Sequence, residues 1–142
     1  MLRAIVVLAA VSLFAQAAVA DTPTTAASAA ASPWRQVYEN GQTRYFIDLA
    51  GPPATDPAEM QVLLEFKVPQ VVDGDQVWSV VSNMRLSCGQ ERLLTLANQL
   101  HAAKMGDGPI VETQAVHDVW HQPQAGSLGE TIWRAICGKP AK

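Results

Sequence analysis

The sequence predicts an α+β fold, in which one C-terminal helix packs on an antiparallel sheet. Short segments of alternating or β-branched residues recur between turn signals from residue 34 to residue 116. An amphipathic helical pattern follows them, after Ser127. Cys88 lies among the strands and Cys137 within the helix, so a disulfide would tie the two together. Strands followed by a closing helix are typical of a helix that covers one face of an antiparallel sheet.

The first twenty residues have the pattern of a secretory signal peptide. Arg3 supplies the positive charge, residues 4–14 an apolar run, and Ala18-Val19-Ala20 the small residues of a cleavage site. The run is too short to span a bilayer. The well-formed cleavage site argues against the alternative of an uncleaved membrane anchor. We expect a signal peptide at 1–20, a flexible leader at 21–32 and a folded domain at 33–140, exported to the periplasm or to the cell surface and beyond.

Composition and charge limit the classes of function. The 142 residues include 10 Lys and Arg against 13 Asp and Glu, a formal net charge of −3. This balance lacks the basic patch expected of a protein that binds nucleic acid or an anionic membrane. Two cysteines in an exported chain predict a disulfide between Cys88 and Cys137. Such a disulfide would stabilise the folded state by about 4 kcal/mol. A reactive thiol pair is the alternative, and no CxxC spacing supports it.

The first strands are expected on either side of a tight turn. Asn40-Gly41 is the strongest short-range hairpin signal, and Trp34, Gln36 and Tyr38 before it alternate onto one face. β-branched and aromatic residues dominate the later segments, as strands require. We expect strands at 34–39, 43–48, 62–68 and 77–88.

The segment 91–101 fits two structures. Its leucines match both a helical stripe and one face of a strand, and propensity alone favours a helix. The next segment, 110–116, predicts another strand.

The C-terminal helix has clear start and stop signals. Ser127 and Glu130 form a capping box, in which each side chain accepts a backbone N–H at the helix start. Cys137 ends the helix and Gly138 follows as its C-terminal cap. The apolar stripe between them consists of Leu128, Ile132, Ala135 and Ile136.

Blocks spread along the whole domain match one known family. They are the hairpin from Trp34 to Tyr45-Phe46-Ile47-Asp48, Ser82 to Cys88 with Arg92, Met105-Gly106-Asp107-Gly108, Trp120, Pro123, and Ser127-Leu128-Gly129-Glu130-Thr131-x-Trp133 to Cys137-Gly138. With these residues the chain resembles the surface-adhesin protein E family of exported proteobacterial proteins. The C-terminal block is the most specific part of the resemblance, which runs from about Trp34 to Gly138.

The resemblance implies a sheet of about six strands, with a strand at 91–101. It also implies a non-enzymatic protein that binds host matrix or serum proteins. Adhesins of the family carry a lipid-anchor cysteine after the signal peptide, which this sequence lacks. The alternative is therefore a soluble periplasmic accessory or inhibitor protein that acts on an envelope partner. A second copy of the chain is a further candidate partner, through an unpaired strand edge.

The sequence indicates no metal, cofactor or catalytic site. His117 and His121 are four residues apart, but a strand precedes them and a Pro/Gly-rich stretch follows, so no helix is expected to align both rings. Ser79, Ser82 and Ser87 lie outside any Gly-x-Ser-x-Gly elbow. The glycines of residues 105–108 are better explained by a turn than by a phosphate loop.

The four tryptophans are divided between core and surface. Trp34 and Trp133 are expected in the core, and Trp120 beneath the turn at Pro123. Trp78 is the candidate for an interaction surface, since aromatic residues dominate binding hot spots.

Overall fold

The computed structural model describes residues 32–48 and 52–138, which form one antiparallel sheet with a helix on it. The six strands pair in chain order, each with its sequence neighbour. A short 3₁₀ turn, Lys104–Gly106, lies between the last two strands. The elements are β1 Arg35–Glu39, β2 Thr43–Ile47, β3 Ala58–Val72, β4 Asp75–Ser87, β5 Arg92–His101, β6 Ile110–Ala115 and α1 Leu128–Cys137.

This architecture confirms the predicted α+β fold, the six-stranded sheet, the C-terminal helix and the disulfide. Cys88 and Cys137 are joined, with their Cα atoms 5.5 Å apart. The ambiguous segment forms strand β5, because pairing with β4 and β6 on its two sides outweighs its helix propensity. The predicted signal peptide and residues 21–31 of the predicted leader lie outside the described residues.

Two tight turns set the register of the first four strands. In the β1–β2 turn, the Asn40 side-chain oxygen accepts the N–H groups of Gln42 and Thr43 at 2.9 and 2.8 Å. In the β3–β4 turn, Asp73 and Gly74 have positive φ values of 50° and 91°. Two such residues make a turn whose twist matches that of the paired strands. Strands β3 and β4 extend past the ends of their neighbours β2 and β5, and these extensions form a projecting hairpin.

The helix covers one side of the sheet, which we call the helix face, and builds the larger core there. Ile132, Trp133 and Ile136 are the buried side chains of α1, at helical spacing on one stripe. Their burial removes apolar surface from water, the dominant favourable contribution to folding. The sheet side chains beneath them are Ile47, Met60, Val62, Met84, Leu86 and Leu93.

The opposite side, the loop face, is covered by residues 102–109. Gly106 approaches the sheet so closely that a Cβ there would be 2.9 Å from Val81 Cγ2, and its φ is +73°. Only glycine combines that approach with that backbone conformation at low cost. The apolar cluster on this face consists of Phe46, Leu63 and Val81, with Trp34 and Met105 packed against them.

The predicted alternation of β1 is wrong at its second half. Gln36 pairs with Phe46, but Tyr38 pairs with Tyr45, because the register shifts between the two pairs. A bulge inserts one residue and turns the side chains that follow to the other face. Trp34 and Gln36 therefore share the loop face, whereas Tyr38 lies on the helix face.

Candidate functional site

Helix α1 lies across one end of the strands. Near its start, a Cβ on Gly129 would be 3.3 Å from Leu93 Cδ1 in β5. In its middle, Trp133 Nε1 donates to the Ser87 carbonyl oxygen at the end of β4, at 3.3 Å. Near its end, the Ala135 carbonyl oxygen accepts the guanidinium of the first residue of β1, at 3.0 Å. The helix thus crosses the sheet from β5 to β1.

The helix is too small to cover the whole face. Its ten residues span about 15 Å, whereas six strands about 4.8 Å apart span about 24 Å. A groove of about 350 Å³ remains between the first turns of α1 and strands β3 to β5. Its apolar lining comes from the sheet, the helix and the segment after β6: Val62, Leu64, Met84, Leu93, Val116, Leu128 and Ile132.

Polar side chains occupy fixed points in this groove. On its floor, the Ser82 hydroxyl donates to the Asn98 side-chain oxygen at 2.7 Å. At its mouth, His121 Nδ1 lies 3.6 Å from the Asp118 carboxylate. Hydrogen bonds from backbone N–H groups, that of Thr95 foremost, hold the pKa of Asp118 below its ordinary value. The mouth of the groove therefore carries a carboxylate that stays charged at neutral pH.

A cross-strand row of apolar side chains continues the groove away from the helix. Tyr38 is opposite Tyr45, Tyr45 opposite Leu64, and Leu64 opposite Val80, which in turn faces Leu100. Tyr38 is 44% exposed and its ring lies 5.7 Å from that of Tyr45. Leu100 is buried, and the other three are half-buried. We call this row the apolar strip; it shares Leu64 with the groove.

A depression of similar size on the loop face differs in its lining. Its volume is about 460 Å³. Gln61 Nε2 there donates to Asn83 Oδ1 at 2.8 Å, and Asp48 and Glu59 add carboxylates. The apolar lining therefore distinguishes the helix-face groove as a site for apolar groups.

The residues predicted to cap and hold the helix lie at its two ends. Ser127 Oγ accepts the N–H of Glu130 at 3.2 Å, and the Glu130 carboxylate accepts the N–H of Gly126 at 2.7 Å. The bond from Gly126 is the main reason why the pKa of Glu130 lies below its ordinary value. At the other end, the disulfide at Cys137 holds α1 next to the sheet. These contacts set the position of Leu128 in the groove wall without lining the groove themselves.

Trp78 lies outside the groove. It is half-buried in β4, and Lys104 Nζ lies 4.9 Å from the centroid of its ring. Trp120 has a similar arrangement, with the Arg92 guanidinium 4.5 Å from its ring centroid. In both pairs the cation is attracted to the aromatic face. Trp78 therefore stays a candidate contact residue, one that is already engaged by a cation.

A buried polar row on the loop face was not expected from the sequence. Glu65 pairs in register with Arg44 and Ser79, and Ser79 pairs with His101. Glu65 is 1% exposed and forms an ion pair with Arg44. The sequence signal for this row was one acidic residue, Glu65, among the apolar residues of β3. Charged residues at such positions usually face water, so the signal did not indicate burial.

Serine, histidine and an acid are the components of a hydrolase triad, but this row is structural. Ser79 Oγ donates to the Ala103 carbonyl oxygen at 2.6 Å and accepts the N–H of Gly106 at 2.9 Å. A nucleophilic serine would instead donate to the histidine. Both ring nitrogens of His101 are buried, without a hydrogen-bond partner among the described residues. The Ser79 bonds anchor residues 102–109 to the sheet.

The other residues weighed for chemistry are dispersed. His121 pairs through its backbone with Leu93, so it and His117 lie in an extended segment after β6 and not on a helix. Across residues 32–48 and 52–138, no group of three or more His, Cys, Asp or Glu side chains is arranged to hold a metal. No helix in these same ranges is long and apolar enough to cross a membrane.

Comparison with known proteins identifies one family. A family model described as surface-adhesin protein E matches residues 34–138. The matched range includes β1 to β6, α1 and both cysteines, and therefore also the groove and the apolar strip. Searches of curated proteins and of solved structures found no match to the chain.

Proposed function

The chain belongs to the surface-adhesin protein E family, and on that premise we propose that it is an exported, non-enzymatic domain that binds a host matrix or serum protein. The recognition surface in this proposal is the groove together with the apolar strip. The observation that supports it is the sheet face that α1 covers only in part. Contiguous apolar surface of this kind on an exported domain is typical of an interaction site.

The composition of this surface is that of an interface centre. Tyr38 and Tyr45 bring large aromatic area with few rotatable bonds, and tyrosine is enriched at binding hot spots. The apolar floor around Leu64 offers a pocket for one apolar side chain of the partner. The Ser82–Asn98 pair would orient a polar group beside that side chain. Binding energy would therefore come from apolar burial, with specificity from the floor of the groove.

The charge around this surface indicates which charged residues the partner carries around its apolar contact. The Asp118 carboxylate at the mouth is negative at neutral pH, and the whole chain has a net charge of −3. A partner with basic residues around its apolar contact is therefore favoured, mainly through a faster association rate.

Surface plasmon resonance with the exported protein against immobilised matrix and serum proteins tests this proposal. Tyr38→Lys, at one end of the strip, and Val80→Thr, in its middle, are each expected to weaken binding about tenfold, the cost of one lost apolar contact of about 1.4 kcal/mol. Val71→Lys is the matched control, since Val71 is 71% exposed on the projecting hairpin, away from the strip. It should bind as the unmodified protein does.

Two results would contradict the proposal. Absence of saturable binding to any matrix or serum protein would remove the partner class. Equal loss of binding in Val71→Lys and Tyr38→Lys would remove the apolar strip as the recognition surface, since the two positions lie on different parts of the sheet.

A further inference from the structure

The two outer edges of the sheet differ in how they are protected from pairing. β1 has five residues, a register shift, and the charged residues Arg35 and Glu39 at its ends. Bulges and charges are the usual devices that keep an edge strand from adding another strand. β6 has six residues and no Lys, Arg or Pro; its register shifts once, between Ile110 and Glu112, and is regular from Glu112 to Ala115. Among the described strands, none pairs with its outer side.

The backbone of β6 presents hydrogen-bonding groups outward at alternate residues. The Val116 N–H donates to the Leu96 carbonyl oxygen in β5, at 3.1 Å. In an antiparallel ladder every second residue makes such bonds, and the residues between them point their N–H and C=O groups to the other side. The regular register from Glu112 to Ala115 puts two residues in that outward set: Thr113 and Ala115.

We propose that β6 accepts an extended segment of the protein partner as an antiparallel seventh strand. This inference rests on the proposed function and adds how the partner's backbone is held. Each of the two outward residues supplies one N–H and one C=O, so an added strand gains about four backbone hydrogen bonds. The added strand would extend the helix face, because Glu112 stands opposite Leu100 at the end of the apolar strip.

The side chains of β6 indicate the chemistry of the segment. Glu112 is the only charged side chain of the strand. A Lys or Arg directly opposite it is favoured by charge, since cross-strand pairs of opposite charge stabilise a sheet. Opposite Thr113 a β-branched residue packs best, since cross-strand pairs of this type also stabilise a sheet. The partner segment is therefore an alternating β-branched strand with a basic residue at the position facing Glu112.

The probe is the acetylated and amidated peptide Ser-Val-Thr-Val-Lys-Val-Thr, which puts its lysine opposite Glu112 when its central valine is opposite Thr113. Hydrogen exchange of the exported protein is followed by NMR with and without saturating peptide. Exchange at the outward amides of Thr113 and Ala115 should slow at least tenfold. The matched control peptide carries N-methyl groups on its three valines, which removes the donors that face β6, and it should leave these rates unchanged.

A pair of variants at Thr113 distinguishes the contribution of the backbone to peptide binding from that of the side chain. Thr113→Pro removes one outward donor and leaves the bonds to β5 in place, since proline is tolerated on the outer side of an edge strand. Its affinity for the peptide should be about tenfold lower. Thr113→Val keeps the donor and should bind unchanged. Circular dichroism shows whether each variant keeps its fold, and the exchange experiment on the unmodified chain needs no variant.

Three outcomes would overturn this inference. Unchanged exchange at the outward amides would do so, and so would equal binding of the N-methylated peptide. A dimer in sedimentation that becomes a monomer in Thr113→Pro would assign the edge to a second copy of the chain. If the strip variants still weaken partner binding while β6 does not respond, only the edge inference fails. If neither partner proteins nor the peptide bind, the proposed function fails as well.

Discussion

The two faces of the sheet are covered in different ways. On the helix face, α1 contributes a stripe of large apolar side chains and is held by a disulfide at one end. On the loop face, residues 102–109 contribute little apolar area beyond Met105 and are held by hydrogen bonds to Ser79 and by the close approach of Gly106. The helix face leaves a groove open beside its cover, whereas the loop face buries a carboxylate, that of Glu65, in an ion pair with the partly exposed Arg44.

This difference shows how the cover of a sheet determines what the face can do. A helix is a rigid cylinder, so it packs well where it touches and leaves apolar surface beside it. A loop follows the sheet closely and can satisfy buried polar groups, because its backbone supplies donors and acceptors. The helix face is therefore suited to binding and the loop face to holding the sheet together.

Removal of the disulfide is the strongest way to disturb the helix face alone. The double variant Cys88→Ala with Cys137→Ala should lower the free energy of unfolding by about 4 kcal/mol, because the unfolded chain regains the entropy of the open loop. Urea denaturation measures the loss. The loop face should be unaffected, so a further Gly106→Ala substitution should cost the same in both backgrounds. A non-additive cost would mean that the two covers are coupled.

Removal of the ion pair partner disturbs the loop face. Arg44→Met leaves the buried Glu65 carboxylate without its cation and should lower the free energy of unfolding by about 3 kcal/mol. The compensating variant, Arg44→Met with Glu65→Leu, removes both charges and should recover most of this loss. If the single variant were as stable as the double one, the ion pair would have no role in holding this face.

The close approach of the loop is tested by Gly106→Ala. Both the positive φ and the contact with Val81 act against a side chain here, so we expect a loss of about 2 kcal/mol. Gly126→Ala is the matched control, since Gly126 has a similar φ of +76° but nothing within 4 Å of the added carbon. Its loss should be about 1 kcal/mol, from backbone strain alone. Thermal unfolding distinguishes the two, and equal losses would refute the contact.

The smallest effects are expected at the helix start. Ser127→Ala removes the cap acceptor and should cost about 1 kcal/mol. The pKa of Glu130 is lower in the folded chain than its ordinary value, so its contribution is present above the ordinary pKa and is lost as the pH falls through the folded pKa. Glu130→Gln should therefore make acid unfolding less steep while Ser127→Ala leaves its pH dependence unchanged. Denaturation midpoints between neutral pH and about pH 3 check this.

Much of the helix face was predictable from the sequence. The cap at Ser127, the apolar stripe and the end at Cys137 depend on residues within a few positions of one another, so a local pattern contains them. The pairing of Cys88 with Cys137 followed from cysteine count in an exported chain. The open groove was not predictable, because its volume depends on where α1 crosses the sheet.

The loop face was harder to predict. The glycines at 105–108 indicated a turn, but the need for glycine at 106 comes from Val81, which is distant in sequence. No local pattern indicated the burial of Glu65, which is accompanied by an ion pair with Arg44 from the neighbouring strand. The bulge in β1 also reversed the face expected for Tyr38.

By itself, the sequence determined the succession of strands, the tight turn at Asn40-Gly41, the capped C-terminal helix and the disulfide, because each of these follows from short-range chemistry or from composition. The local pattern left residues 91–101 open between helix and strand, and the family resemblance implied the strand that the structure contains. Only the tertiary structure decided which side chains share a face and how much of the helix face stays uncovered. These features depend on partners that are far apart in sequence, and hydrogen bonding and packing between such partners outweigh the preferences of any single segment.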